Sequence, residues 1–204
     1  ELVRVKTNLP GQFSVYNALA AISCARLLGV SLADAAAALE TAHGAKGRVE
    51  PVPTDGDYSI FIDYAVTPDA IENVLTTLRG IAPKRLVMLF GAGGDRDRKK
   101  RPIMGKLSAD IADFVIVTSD NPRTEDPMSI IEEILPGVRA GKAPYKVICD
   151  RPEAIRWAID HHEPGDVILL CGKGHEDYQI IGHEKHHFDE REVVAEAVAA
   201  RDGK

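Results

Sequence analysis

The chain has 204 residues, with 25 Lys and Arg against 31 Asp and Glu, and so a formal charge of −6 at pH 7. That acidic balance argues against a dedicated nucleic-acid or membrane-surface binder, which needs a basic field to attract phosphates, and no run approaches the ~18 uninterrupted apolar residues of a membrane span. Apolar residues at 45% suffice for a core and 27% charged is ordinary for a soluble globular protein. Cys24, Cys149 and Cys171 are odd in number and share no metal-type spacing, which fits a reducing cytoplasm. Glu1 is not a start residue and no charged-then-apolar leader opens the chain, so the sequence reads as a piece of something longer.

From 15 to 28 the run VYNALAAISCARLL is alanine-rich with helical spacing; Gly29 is placed to end it, and Ser31 to cap a second short helix through Leu39. Two helices with no strand between them cannot close a core, so residues 1–48 read as the tail of a preceding domain. Beyond Gly47 and Arg48, short runs rich in β-branched residues at 58–64, 85–90, 114–118, 145–149 and 166–171 alternate with helical segments at 68–79, 102–112, 127–139, 152–162 and 189–201. Pro68, Pro102, Pro127 and Pro152 sit where a proline suits a first helical turn, because its missing N–H is unused there. Asp189 is a natural cap for the last helix. This alternation predicts an α/β fold over 49–204, with a mostly parallel sheet covered by helices on both faces.

In an open parallel sheet, ligands bind beyond the carboxyl ends of the strands. Four of the five predicted strand ends carry unusual residues: DYAVTPD after the first, GAGGDRDRKKR after the second, SDNPR after the third and GKGHEDYQ after the last. The fourth leads only into DRPEAI, which reads as a helix cap. Gly91, Gly93 and Gly94 leave backbone amides free to approach an anion, yet Arg96 stands where a dinucleotide fingerprint needs its third glycine, and no GxxxxGK[ST] phosphate loop is present. Arg96, Arg98, Lys99, Lys100 and Arg101 against one Asp97 make either a solvated basic run or a positive patch for a carboxylate or phosphate.

SDNPR offers opposite charges within four residues: Arg123 can take a carboxylate through two parallel hydrogen bonds and Asp120 can hold an ammonium, as a zwitterion requires; an Asx turn ahead of a helix is the plainer reading. In GKGHEDYQ, Glu176 can hold a second ammonium or accept a proton, and His175 reads equally as an acid–base group or a structural hydrogen-bonder. His183, His186 and His187 lack the i, i+4 spacing of helical metal ligands and read as a solvated hairpin. No metal site and no catalytic nucleophile is expected within the chain.

With these segments in hand, the chain resembles the C-terminal part of the Mur ligases. The matching motifs are VYNALAA at 15–21, GRVE at 47–50, DYAVTPDA at 63–70, GAGGDRDRKKRPIMG at 91–105, TSDNPRTEDP at 118–127 and GKGHEDYQIIG at 172–182, in family order over nearly the whole chain. DNPR is the most discriminating, being the signature of the members that add meso-diaminopimelate during peptidoglycan assembly; lysine-adding relatives typically lack its arginine. The resemblance implies a cytoplasmic three-domain enzyme: one domain for the uridine nucleotide, a central ATP-binding domain, and a Rossmann-like C-terminal domain for the incoming amino acid. ATP with Mg²⁺ would activate the carboxylate of UDP-N-acetylmuramoyl-L-alanyl-D-glutamate as an acyl phosphate, which the amine attacks.

Residues 1–48 would then be the tail of the central domain and 49–204 the amino-acid-binding domain. Matched position by position, Asn17 falls near adenine, Arg48 near the nucleotide phosphates and Asp63 on the ribose, while Arg96, Asp120, Asn121, Arg123, Gly172 and Glu176 fall on the amino-acid positions. Two departures lie on the nucleotide side: Ser14 where the family commonly has Asn, and Val66 where it has His. The phosphate loop, the magnesium-binding carboxylates and the family's modified lysine have no counterpart among these motifs, so the chain alone is expected not to ligate. The alternatives are another enzyme of the superfamily, such as a folylpolyglutamate synthetase, or a non-catalytic amino-acid-binding module.

Overall fold

The computed structural model describes residues 2–54 and 56–202, and the chain forms two compact units, Glu1–Ala45 and Lys46–Lys204. The first holds two helices, α1 (Gln12–Leu27) and α2 (Leu32–Glu40). Gly29 at φ +88 lets the chain leave α1, with the Val30 amide donating back to the Ala25 carbonyl at 3.0 Å. The Ser31 hydroxyl accepts from the Asp34 amide at 3.0 Å and caps α2. Only Ser14 on α1 and Ala35 and Ala36 on α2 are buried, while Phe13, Val15, Tyr16 and Leu19 stand exposed.

The second unit runs β1 (Glu50–Val52), β2 (Ser59–Asp63), α3 (Pro68–Arg79), β3 (Leu86–Phe90), α4 (Lys100–Ile111), β4 (Phe114–Val117), α5 (Pro127–Ala140), β5 (Tyr145–Val147), α6 (Arg151–Asp160), β6 (Val167–Cys171), β7 (Tyr178–Ile181), β8 (Glu184–His187) and α7 (Glu190–Asp202). Six strands form one sheet in the order β1-β2-β6-β3-β4-β5, parallel except for β1. β3 and β6 are buried at every position because helices cover both faces. Side chains alternate: Leu86, Met88 and Phe90 join Leu75 of α3, Met104 of α4 and Ile131 of α5, whereas Val87 and Leu89 join Ile155 of α6 and Val194 of α7. This is a Rossmann-like α/β layer arrangement.

Thr67, Asp126 and Asp150 cap α3, α5 and α6 through their side chains, with a proline directly after Thr67 and Asp126 and one residue later after Asp150. Asp189 caps α7 by accepting from the Arg191 amide at 3.0 Å. Helix α4 starts at Lys100, two residues before the sequence pattern suggests, so Pro102 lies at its third position, still within the first turn. β1 escaped the sequence reading, and its Pro51 sits on an edge strand, where a missing donor is tolerated. The chain steps outward from β3 to β5, then returns through α6 and inserts β6 between β2 and β3. The carboxyl ends of β2, β6, β3 and β4 therefore lie side by side, which is where an open sheet makes its crevice.

Candidate functional site

The glycine segment after β3 folds against the SDNPR segment after β4. The Gly94 amide donates to the Asn121 carbonyl at 2.9 Å, and Arg123 Nη1 donates to the Gly94 carbonyl at 2.8 Å. Asp95 Oδ1 accepts from the Thr124 hydroxyl at 2.7 Å. A Cβ on Gly94 would stand 1.8 Å from the Pro122 carbonyl oxygen, so this approach admits only glycine. Arg123 holds a left-handed backbone at φ 53, a conformation that costs a non-glycine residue about 1 kcal/mol. Hairpin β7–β8 keeps it there: the Arg123 amide donates to the Ile180 carbonyl at 3.0 Å and the Gly182 amide donates to the Arg123 carbonyl at 2.8 Å.

Arg96, Asp120, Asn121, Arg123, Gly172 and Glu176 all line one cavity of about 110 Å³ at these strand ends, joined by Tyr64, Val66, Gly93 and Lys100. Arg96 is exposed at its rim and makes no ion pair among the described residues. Lys100 is half-buried, donating to the Val66 carbonyl at 2.8 Å, and burial pulls its ammonium below the ordinary lysine range. Asp120 and Asn121 are buried. Asn121 Nδ2 donates to Glu176 Oε2 at 2.9 Å, and the fully buried Lys173 lies behind this wall with Nζ 3.1 Å from the same oxygen. Burial first, then the charges of Glu176 and Asp120, raises the Tyr64 phenol above its usual pKa. The cavity thus sets guanidinium groups that make no ion pair among the described residues beside carboxylates, an arrangement that can bind carboxylate and ammonium groups together. A larger hollow of about 470 Å³ between α4 and α5 is mainly apolar and shares none of these residues.

Asn17, Arg48 and Asp63, the residues matched to the nucleotide, are not among those lining this cavity. Asp63, buried at the end of β2, accepts from the amides of Val49 and Ala65, both at 2.8 Å, and burial raises its pKa. Arg48 is exposed, its guanidinium carbon 5.4 Å from the Tyr64 ring centre. Asn17 is an exposed residue of α1, in the first unit. His175 is exposed against the Tyr64 ring at 4.9 Å, and His183, His186 and His187 lie on the hairpin's turn and on the exposed β8. The basic run divides: Arg98 pairs with Glu133, and the fully buried Arg101 pairs with Glu125 and Glu133, both at 2.8 Å. Sequence reasoning offered Lys100 and Arg101 only as part of the basic run and gave Lys173 no role of its own. A lysine directly between two glycines at a strand end was the one available sign of Lys173.

Fold and cleft together define a Rossmann-like domain with a polar cleft at its strand ends. The family model for the Mur ligase, glutamate ligase domain matches residues 47–174. The chain is 51% identical over 195 residues to a UDP-N-acetylmuramoyl-L-alanyl-D-glutamate–2,6-diaminopimelate ligase of Caldanaerobacter subterraneus subsp. tengcongensis, covering 96% of this chain and 40% of that protein. It is 48% identical over 198 residues to the protein of the same name from Syntrophomonas wolfei, covering 97% of this chain and 40% of that one. A solved structure of a UDP-N-acetylmuramoyl-L-alanyl-D-glutamate–2,6-diaminopimelate ligase superposes with a TM-score of 0.76 at 40% identity, over 97% of this chain and 40% of that one. The chain belongs to the Mur ligase family and carries its C-terminal domain. It spans about 40% of the length of the curated relatives it matches. Among the described residues no helix is long and apolar enough to cross a membrane.

Proposed function

We propose that residues 49–204 bind and orient meso-diaminopimelate within a cytoplasmic ATP-dependent ligase that adds it to UDP-N-acetylmuramoyl-L-alanyl-D-glutamate in peptidoglycan synthesis. Residues 1–48 are read as the tail of that enzyme's central ATP-binding domain. The observation that carries the reading is the meeting of Arg96 and Arg123 with Asp120 and Glu176 around one cavity, from segments up to 80 residues apart in sequence. Diaminopimelate presents two carboxylates and two amines. Lysine lacks the distal carboxylate and would leave an arginine unpaired in a partly desolvated pocket, a loss that strongly favours the substrate able to fill it. Holding the amine in line with an activated carboxyl is an orientation effect, and it is the contribution such a domain makes to the rate.

ATP, when bound by the whole enzyme, supplies the phosphoryl group that gives the carboxylate a leaving group. This chain's exposed Arg48, with no ion pair among the described residues, suits a nucleotide phosphate. Asp63 already accepts from the Val49 amide through Oδ2 and from the Ala65 amide through Oδ1, so any ribose hydroxyl must share these oxygens. For Mg²⁺ the donor set does not fit: among the described residues no group of three or more His, Cys, Asp or Glu is arranged to hold a metal.

Calorimetric titration of the chain with meso-diaminopimelate, L-lysine and L-glutamate tests the assignment. Diaminopimelate should bind tightest, and tighter binding of lysine or glutamate overturns it. Arg123→Ala should weaken diaminopimelate binding by about 30- to 100-fold, the worth of a charge-assisted pair. In the whole ligase the same substitution should impair diaminopimelate use far more than ATP use, and equal losses would show that Arg123 does another job.

A further inference from the structure

Lys173 has no place in the readings above. It is fully buried, does not line the cavity, and sits behind its acidic wall with Nζ 2.7 Å from Asn121 Oδ1, 3.1 Å from Glu176 Oε2 and 3.4 Å from Asp120 Oδ1. An ammonium taken fully out of water is tolerated only when paired and hydrogen-bonded, and these three side chains are the partners. Asn121 completes the knot, accepting from the Ile180 amide at 2.9 Å while donating to Glu176. Asp120 Oδ1 is buried and ion-paired with Lys173 but accepts no hydrogen bond. An ammonium entering the cavity would supply one.

We propose that Lys173 is a positioning residue of this pocket: a buried internal counter-cation that holds Asp120, Asn121 and Glu176 as one rigid wall with a single net negative charge, so that the pocket takes one ammonium group while Arg96 and Arg123 take carboxylate. This rests on the amino-acid-binding reading of the cavity. Because Lys173 balances one of the two acids from behind the wall, one negative charge is left facing the cavity for a guest ammonium. Removing its charge leaves two carboxylates facing one guest cation, and neighbouring carboxylates without a shared counter-ion ionise in separate steps, one of them raised. The other groups acting on this pair are Tyr64 after β2, Lys100 of α4, Arg151 of α6, Cys171 of β6 and Tyr178 of β7, with Arg123 beside them in the cavity lining, and none of them is altered in the test.

The test compares the chain with its Lys173→Met, Lys173→Arg and Lys173→Met/Glu176→Gln variants. Two measurements are made: carboxyl titration by ¹³C NMR without ligand, and calorimetry with meso-diaminopimelate from pH 6 to 8.5. In Lys173→Met one of the two carboxyls should titrate at least about two pH units higher than in the parent, and so take up a proton by pH 6. Diaminopimelate affinity should fall about 30-fold at pH 8, and the deficit should narrow toward pH 6 as a proton replaces the missing cation. Lys173→Arg should keep the parent's pH profile, and the double variant, with one acid left, should bind diaminopimelate with an affinity flat from pH 6 to 8.5. Carboxyl titrations in Lys173→Met that superpose on the parent's, or an affinity loss equal at every pH, would overturn the proposal. If Lys173→Met does not fold, the double variant decides: a folded protein with a flat profile supports the charge argument, and an unfolded one overturns it. If the parent binds no diaminopimelate, the functional reading fails by itself, and the carboxyl titrations still judge Lys173.

Discussion

Gly94→Ala measures how tightly the two loops that wall the cavity are zipped. The added methyl carbon would lie 1.8 Å from the Pro122 carbonyl oxygen and 2.7 Å from its carbon, both of them backbone atoms that no rotamer change can move. Reaching an ordinary contact of about 3.3 Å requires the segments to part by more than about 1 Å. Such a shift breaks or lengthens the Gly94 amide bond to Asn121 and the Arg123 bond to the Gly94 carbonyl. At roughly 1 kcal/mol for each bond, plus about 1–3 kcal/mol of overpacking strain, the loss is about 3–5 kcal/mol. For a domain of this size that lowers the melting temperature by about 6–20 °C. Because Arg123 loses its anchor, the proposed affinity for diaminopimelate should fall as well. Gly80→Ala is the control: Gly80 has ordinary helical angles at φ −67, and its nearest new neighbour would be the Thr77 carbonyl oxygen at 3.4 Å, so its melting point should rise slightly or stay put. Calorimetric melts of both variants decide the matter, and a Gly94→Ala melting point within 2 °C of the control's refutes the steric reasoning.

Two further expectations concern the network beneath the site. Arg151 and Glu190 form a fully buried pair, Nη2 to Oε1 at 2.8 Å, and Arg151 also donates to the Cys171 carbonyl at 2.9 Å, tying α6, α7 and the end of β6 together; Arg151→Met strands the carboxylate and should cost about 3–5 kcal/mol in urea unfolding, while the Arg151→Met/Glu190→Leu double variant should recover part of it. The Arg101 hydrogen bonds hold the Glu125 carboxyl down at about 2 against an ordinary 4.5, a depressed acid whose stabilisation is complete above 4.5 and disappears as pH falls toward 2; the stability gap between the parent and Glu125→Gln should therefore be wide at pH 6 and narrower at pH 3, and a gap constant between those values would contradict the assignment.

The central strands were legible because burial on both faces demands continuous apolar runs, and LVMLF and VILLC supply them. Helix starts were legible from proline and its preceding cap at α3, α5 and α6. The sequence did not disclose β1: Glu-Pro-Val has neither alternation nor length, and it becomes a strand only by pairing antiparallel with Ile60–Ile62 of β2. Strand order was equally hidden. That β6 inserts between β2 and β3 is a long-range outcome, and it is this insertion that brings GKGHEDYQ beside DYAVTPD and GAGGDRDRKKR. The strand-end rule predicts where ligands bind, but not which ends are neighbours.

The basic run at 96–101 shows why local composition misled about the site. As text it is one positive patch; in the fold its charges serve separate ends. Arg96 and Lys100, four residues apart, both reach the cavity, whereas Arg98 and Arg101 turn toward carboxylates of the next helix and its lead-in, Glu133 and Glu125. Those partners lie 24 and 32 residues from Arg101, so no window of sequence contains the pairs. Their consequence returns to the glycines. Arg101 Nη2 also donates to the Gly93 carbonyl at 3.2 Å, and Glu125 accepts from the Asp95 amide at 2.6 Å. A segment chosen for close approach has little stiffness of its own, because glycine has more conformations to lose than any other residue. The buried guanidinium restores that stiffness from outside, so the flexible letters of GAGGD and the charged letters of RDRKKR form one device: glycines that let two loops touch, and an arginine that keeps them touching.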